Sequence, residues 1–388
     1  MNKKRVVYLT GTRADYGKLK PLMIACEKDD QIDNHIFVIG MHLLKEYGYT
    51  ISDIEADKYR NIYKPEDYIH YDKMELNLAE TIVKFSDYVN RIKPDIIVVH
   101  GDRVEPLAGA IVGVMNNIMV AHIEGGEVTG TADEFMRHAI TKMSNIHFVA
   151  NDEAKFRLMQ LGEAEKDIHI IGSPDIDIMV SNDVPLASVK SSLSVSFDKY
   201  AILIYHPVTT CDDMDIKAKQ IADSVIESGD NFIVIKPNND NGSEFIRKEW
   251  KRFENNDHFM VFDSIQFESF LCLLKNADYI IGNSSAGVRE ACVYGVPAID
   301  IGTRQNNRYR IDAIRNIQHC KEATGEVLRC IKEVDKYRVK SSYYGDGHSS
   351  EKFMNIIKNV KDGNTQKQFV ETKETSNAIL NYINEVCF

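Results

Sequence analysis

The chain has 388 residues, 44% of them hydrophobic and 27% charged, and a formal net charge of −11. That length exceeds what one growing core holds, so two domains are expected, and the acidic balance argues against nonspecific binding to nucleic acid or to an anionic membrane. No stretch approaches the ~20 apolar residues of a membrane helix, and the seven cysteines form no CxxC pair, which leaves zinc and thioredoxin-like readings unsupported and makes buried free thiols in a reducing cytoplasm the simpler account.

The N-terminus, MNKKRVVYLTG, is too short and mixed for a secretory signal and runs directly into a strand. Short apolar runs then alternate with amphipathic segments. The predicted strands of the first half are RVVYLT, HIFVIG, DIIVVHG, IMVAHI, IHFVA and IHIIG. Between them the spacing predicts helices over 16–28, 75–92, 104–116, 133–143 and 152–161, with a less periodic excursion at 41–71. The pattern pauses at 175–199, a polar linker with a short helix, and restarts with strands YAILIYH, NFIVIKP, FMVF, YIIG and AIDI. Helices are predicted there over 214–228, 243–253, 267–276, 286–294 and 326–336. Near-continuous apolar strands separated by helices indicate parallel sheets covered on both faces. The expected fold is therefore α/β, with two Rossmann-like domains whose parallel sheets flank a cleft. Residues 1–178 form the first domain and 179–364 the second. The last helices, 351–360 and 373–385, have no strand to serve, and the C-terminal one (about 365–388) is expected to pack back on the first domain.

Ligands of open α/β sheets bind outside the carboxyl ends of the strands. Acidic side chains reach that edge in the segment VVHGDRVEPLAGAIVGVMNNIMVAHIEGGEVTGTADE. Asp102 follows DIIVVHG, Glu124 follows IMVAHI, and Asp133 comes after a Gly/Thr-rich loop. Helix capping explains Asp102 or Asp133 taken singly. It explains Glu124 poorly, because Glu is not a preferred cap and two glycines follow it. The first βα turn, LTGTRADYG, lacks a GxGxxG fingerprint. Arg13 stands there beside Gly11, where an anion is a natural partner, and Arg103 has the same kind of place after Asp102.

In the second half YIIGNSSAGVREA reads as strand, turn and helix. Ser284, Ser285 and the amides near Gly287 would face a phosphate at a helix N-terminus, and Glu290 would accept hydrogen bonds from a ribose diol. Plain capping accounts equally for the two serines. Arg304 follows in GTRQ, His206 ends the strand of IYHPVTT beside hydroxyls, and Asn238 lies at a similar edge in KPNND. The remaining histidines His35, His147, His169 and His258 are read as structural. YYGDGHSSEKF follows no strand; it reads as a tight loop before a helix capped by Ser349 or Ser350. Acids on one half and diphosphate and ribose groups on the other suit a nucleotide-sugar enzyme.

In chain order, TGTRADYGKLKPL, HGDR, HIEGGEVTGTADE, IGSPD, HPVTT, PNND, GNSSAGVREA, GTRQ and YGDG resemble the hydrolysing UDP-N-acetylglucosamine 2-epimerases of bacterial sialic acid synthesis. The resemblance covers nearly the whole chain and is weakest over the last thirty residues. HIEGG where non-hydrolysing relatives read HVEAG, and Ala14-Asp15 where they usually have Pro-Glu, favour the hydrolysing branch. The resemblance implies a GT-B-like pair of domains and conversion of UDP-N-acetylglucosamine and water to N-acetylmannosamine and UDP in the cytoplasm. It implies catalytic acids at Asp102, Glu124 and Asp133, and His206 is expected among the catalytic residues as well. UDP or substrate contacts are implied at Arg13, Ala14, Arg103, His206, Asn238, Ser284, Ser285, Gly287, Glu290 and Arg304. Neither cofactor nor metal is expected, and the assembly implied is a homodimer or homotetramer. The expected chemistry is elimination of UDP with loss of the proton on carbon 2, giving 2-acetamidoglucal, followed by rehydration. Asp102 and Asp133 would share the proton transfers and Glu124 would serve the hydration or a sugar hydroxyl. Two other readings remain. A sibling epimerase would act on UDP-2,4-diacetamido-2,4,6-trideoxyglucose, and a GT-B glycosyltransferase would share the diphosphate site without needing the acid cluster.

Overall fold

The computed structural model describes residues 3–128, 132–208, 213–237, 242–306, 313–360, 365–371 and 373–387. They fall into two compact units, Met1–Asp177 with Gly347–Phe388, and Ile178–Asp346. Among the described residues no helix is long and apolar enough to cross a membrane.

The first unit is built on seven parallel strands: β1 (Lys4–Thr10), β2 (Ile32–Val38), β3 (Ile62–Tyr63), β4 (Ile96–His100), β5 (Met119–Ile123), β6 (Ile146–Val149) and β7 (Ile168–Ile170). Their order is β3-β2-β1-β4-β5-β6-β7. Successive residues of a strand point to opposite faces, and here both faces are buried. Val6 and Tyr8 of β1 enter one core with Ile96 and Val98 of β4. Val7 and Leu9 enter the other with Ile97 and Val99. Helix Arg13–Lys28 covers the first face, and Met74–Ile92 the second. Each buried aliphatic side chain contributes roughly 1.5–3 kcal/mol, and this double burial is why the strands read as unbroken apolar runs.

The second unit repeats the plan with β8 (Ala201–Ile204), β9 (Phe232–Ile235), β10 (Phe259–Phe262), β11 (Ile280–Gly282), β12 (Ala298–Ile301) and β13 (Ile317–Cys320). All are parallel, in the order β10-β9-β8-β11-β12-β13. Each sheet therefore changes direction once, between β1 and β4 and between β8 and β11. Such a switch point opens a crevice at the carboxyl ends of the two strands.

Four expectations need correction. Strands β3 and β13 are absent from the sequence reading, because β3 has only two residues and β13 reads IQHC, with an exposed His319. The helix predicted over 286–294 is two, Ser285–Val288 and Glu290–Tyr294, broken at Arg289, whose guanidinium lies 4.8 Å from the Tyr344 ring centroid. Neither Ser349 nor Ser350 caps helix Ser349–Asn359 with its side chain; the Asp177 carboxylate does, accepting both backbone amides at 2.8 Å. Residues 347–364, placed with the second domain by the sequence pattern, have their described part in the first unit. Phe353 and Ile357 enter its core and Lys4 Nζ donates to Ile357 O at 3.1 Å. Beyond them, Lys367 Nζ donates to Thr141 O (2.8 Å) and Ser144 O (2.6 Å), at the end of helix Ala132–Met143.

Candidate active site

At the first switch point the chain turns from β1 into helix Arg13–Lys28, where Thr12 Oγ1 accepts from the Asp15 amide at 3.2 Å. That cap leaves Arg13 and Ala14 exposed on the first turn and turns Asp15 inward. Arg13 is 3.9 Å from Asp53 across two well-exposed side chains, a contact of little energetic weight. Asp15 Oδ1 meets His100 Nδ1 at 3.3 Å, and the other ring nitrogen of His100 meets Glu124 Oε2 at 3.2 Å. The imidazole at the end of β4 is thus held between two buried carboxylates. Burial alone would depress its pKa. The hydrogen bonds and charges of Asp15 and Glu124 outweigh burial and hold it up to about 9.

Glu124 follows β5 with φ of 61°, a left-handed conformation that costs a non-glycine residue roughly 1–2 kcal/mol. Its amide donates to Phe148 O at 2.8 Å, which pins the strained turn. Lys18 Nζ donates to Glu124 Oε1 (3.2 Å) and to Ser173 Oγ (2.7 Å), and pairs with Asp175 Oδ2 at 2.6 Å. The Ser173 hydroxyl also lies against Glu124 and Asp175. Four strand ends therefore converge on one buried network of Asp15, Lys18, His100, Glu124, Ser173 and Asp175.

Asp102 stands two residues past His100, and its carboxylate is paired with the almost fully buried Arg137. Arg137 also donates to Glu127 O at 2.7 Å. Asp133 precedes Arg137 by one turn of helix Ala132–Met143, so the two share a helix face. The turn that presents Asp102 is held from below by His122. Its Nε2 must carry the proton, because it faces the Gly101 carbonyl at 2.8 Å, and Nδ1 then accepts from Thr141 Oγ1 at 3.2 Å. Burial drives the His122 pKa down to about 3, so this ring is neutral. Glu105 is buried behind the crevice. A Cβ on Gly11 would fall 2.5 Å from Glu105 Cγ, so the turn needs glycine there to admit the acid. Burial, then the Asp15 charge, raises the Glu105 pKa against the opposing effect of Arg103, whose Nε is 3.7 Å from Oε2.

The second switch point is chemically different. Asn283, fully buried after β11, donates from Nδ2 to His206 O (2.8 Å) and accepts from the His206 amide at Oδ1 (2.7 Å). Its own carbonyl receives Gln305 Nε2 (2.8 Å) and Arg304 (3.3 Å). Asn283 thus joins the ends of β8 and β11 to the turn after β12. Gly282 has φ of 132°, and a Cβ there would fall 1.9 Å from Ile204 O. Ser284 caps the short helix through Ala286 N at 3.3 Å, and Ser284, Ser285, Gly287 and Glu290 are half-buried around it.

Of the residues singled out from sequence, Asp102, Glu124, Arg13, Ala14 and Arg103 lie at the first switch point, with Asp133 one turn from the Arg137 that pairs with Asp102. His206, Ser284, Ser285, Gly287, Glu290 and Arg304 gather at the second. Asn238 lies outside the described residues. Sequence reasoning missed Asp15, Lys18, His100, Glu105, Ser173, Asp175, Arg137 and Asn283. The motifs TGTRADYGK, HGDR and IGSPD did contain most of them, but without their pairing. Among the described residues no three His, Cys, Asp or Glu side chains are grouped as a metal site.

The chain matches the family model described as UDP-N-acetylglucosamine 2-epimerase over residues 24–358. It is 42% identical over 374 residues to the UDP-N-acetylglucosamine 2-epimerase of Neisseria meningitidis serogroup B, covering 95% of this chain and 99% of that protein. It is 32% identical over 365 residues to the UDP-N,N'-diacetylbacillosamine 2-epimerase (hydrolyzing) of Legionella pneumophila, covering 92% and 96%. The solved structure of UDP-GlcNAc 2-epimerase from Methanocaldococcus jannaschii superposes with a TM-score of 0.77 at 21% identity, over 91% of this chain and 99% of that one, a likeness of fold. An acid-lined first sheet, a hydroxyl- and amide-lined second sheet and these matches lead to one conclusion: the chain belongs to the UDP-N-acetylglucosamine 2-epimerase family.

Proposed function

We propose that this enzyme is a hydrolysing 2-epimerase that converts UDP-N-acetylglucosamine and water to N-acetylmannosamine and UDP, a supply reaction for sialic acid synthesis. The observation that carries the reading is the set of ionisable side chains delivered by β1, β4, β5 and β7 to one switch point. The hydrogen on carbon 2 is not adjacent to a carbonyl, so its removal needs help. Departure of UDP from carbon 1 builds positive charge there and acidifies carbon 2. A carboxylate then takes the proton, and the carbon–oxygen bond to UDP breaks, giving 2-acetamidoglucal. Rehydration places a hydroxyl on carbon 1 and a proton on the opposite face of carbon 2. Asp102 and Asp133 are assigned the two proton transfers. Glu124 is assigned the water or a sugar hydroxyl, and Arg13, Arg103, His206, Ser284, Ser285, Gly287, Glu290 and Arg304 the UDP moiety. No cofactor enters this chemistry.

Turnover in deuterated water tests the scheme: the product should carry deuterium at carbon 2, and unlabelled product sinks the elimination. The sugar is tested by offering UDP-N-acetylglucosamine and UDP-N,N'-diacetylbacillosamine side by side. The greater identity to the Neisseria enzyme than to the Legionella one favours the first substrate. A homodimer or homotetramer is supported by Met74, Leu76, Val83, Val114 and Met115, large exposed apolar side chains on two mutually packed helices of the first unit. Light scattering after size exclusion tests that assembly. The free, buried thiols of Cys26, Cys272, Cys292, Cys320 and Cys330 support a cytoplasmic location.

A further inference from the structure

His100 does not belong to the set of acids assigned above, and a lone histidine at a strand end is ordinarily structural. Its surroundings say otherwise. Both ring nitrogens face carboxylate oxygens, Asp15 Oδ1 at 3.3 Å and Glu124 Oε2 at 3.2 Å. A carboxylate oxygen presents no proton, so each contact needs an N–H, and only the imidazolium supplies two. Asp15 is 5% exposed, and its second oxygen, Oδ2, is buried with no hydrogen-bond partner. Glu124 is 7% exposed and sits in a strained turn.

We propose that His100 is a positioning residue for the reaction: clamped as an imidazolium between Asp15 and Glu124, it holds the Glu124 carboxylate in place, and loss of its charge disables the site. The proposal rests on the 2-epimerase reading, because it takes Glu124 as a reacting group. The charged neighbours are consistent with the assignment. From helix Arg13–Lys28 come Asp15 and Lys18; from the end of β5 come Glu124 and the neutral His122; from the turn after β7 comes Asp175, bound to Lys18; and Glu105 lies beyond Asp15. Two cations, Lys18 and His100, face Glu124 on different oxygens. Lys18 is shared with Asp175 and Ser173, whereas among the described residues His100 is shared with Asp15 alone. The raised basicity of His100 agrees with the clamp.

Two variants and one spectroscopic measurement decide it. Nitrogen-15 NMR of histidine-labelled wild-type protein reads the His100 titration directly, with or without substrate. A midpoint well above that of an ordinary histidine supports the clamp, and a midpoint at or below it overturns the clamp whatever the enzyme's activity. Asp15→Asn removes one anion from the clamp. The alkaline limb of the kcat profile should then move to lower pH by roughly one to two units, with KM little changed. His100→Gln should lower kcat by about 10-fold or more and abolish that limb. If His100→Gln does not fold, Asp15→Asn still decides, because a merely structural histidine leaves the limb where it was. Wild-type protein that releases no UDP from UDP-N-acetylglucosamine overturns the functional reading, while the NMR midpoint still reports on the clamp.

Discussion

The two sheets share one topology and differ in what they place at the switch point. In the first unit the strand ends carry Asp15, His100, Asp102 and Glu124, tied to Lys18, Asp175 and Arg137. In the second, the corresponding strand ends are joined by Asn283, an uncharged amide that makes bonds to backbone groups. Under the proposed reaction, the same backbone geometry serves proton chemistry in one case and the binding of a group that does not change protonation in the other. A buried ion pair stabilises a fold little, because desolvation offsets the Coulomb gain. A network of this size is better explained by a reaction than by stability.

The sharpest way to break the comparison is Asp102→Asn. The side chain keeps its shape and loses the ability to exchange protons, so kcat should fall on the order of 10²–10⁴-fold. UDP affinity, measured by calorimetry, should stay near the wild-type value. A large loss of UDP affinity instead would make Asp102 a binding group and erase the contrast between the sheets. Next in size is Gly282→Ala in the second unit. The added Cβ would fall 1.9 Å from Ile204 O at a φ of 132°, so β11 and β8 must separate. A loss of about 3 kcal/mol or more is expected in urea unfolding, and a melting temperature unchanged from wild type would contradict the close approach.

Strand positions were legible in the sequence wherever both faces are buried, as in β1, β4 and β8, because no polar residue interrupts the run. The acids at the strand ends were legible for the same reason: after DIIVVHG and IMVAHI a carboxylate stands out. His100 was not, since its meaning comes from Asp15, 85 residues earlier, and Glu124, 24 residues later. Asn283 stands between a glycine and two serines in a pattern that by itself suggests a phosphate loop, while its side chain serves the backbone of His206. The membership of helix Ser349–Asn359 in the first unit depends on Asp177 and Lys4, far away in the chain, and periodicity carries no such information.

The pH dependence of stability separates two histidines within the first unit. His122 has a folded pKa lowered to about 3 by burial. Its contribution is complete above the unfolded value of roughly 6.5 and is lost progressively as pH falls toward 3. His100 has a folded pKa held up at about 9. Its contribution is complete below roughly 6.5 and is lost as pH rises through 9. The pair therefore places a stability optimum near pH 6.5. In urea unfolding, the stability advantage of wild type over His100→Gln should shrink by up to roughly 3 kcal/mol between pH 6.5 and 9. A constant difference across that range would show that the imidazole is not charged in the fold.

The smallest effect tests whether the acid-bearing sheet depends on its distant support. Lys367 donates to Thr141 O and Ser144 O and pairs with Glu163, which also holds His147 and Lys142. Burial works against the Glu163 carboxylate, but those three partners bring its pKa down to about 2. Lys367 thereby anchors the C-terminal end of helix Ala132–Met143, whose first turns carry Asp133 and Arg137. Lys367→Met keeps the alkyl stem and removes the charge. Its side chain is 24% exposed, and Lys142 and His147 still satisfy Glu163, so a loss of about 1–2 kcal/mol is expected. Turnover should change little, since the helix keeps its contact with Asp102 through Arg137. A drop in kcat as large as that of Asp102→Asn, at temperatures where the variant is folded, would mean that the far end of the helix sets the position of Asp133. The first unit's site would then extend through the helix to the C-terminal segment, with no counterpart in the second unit.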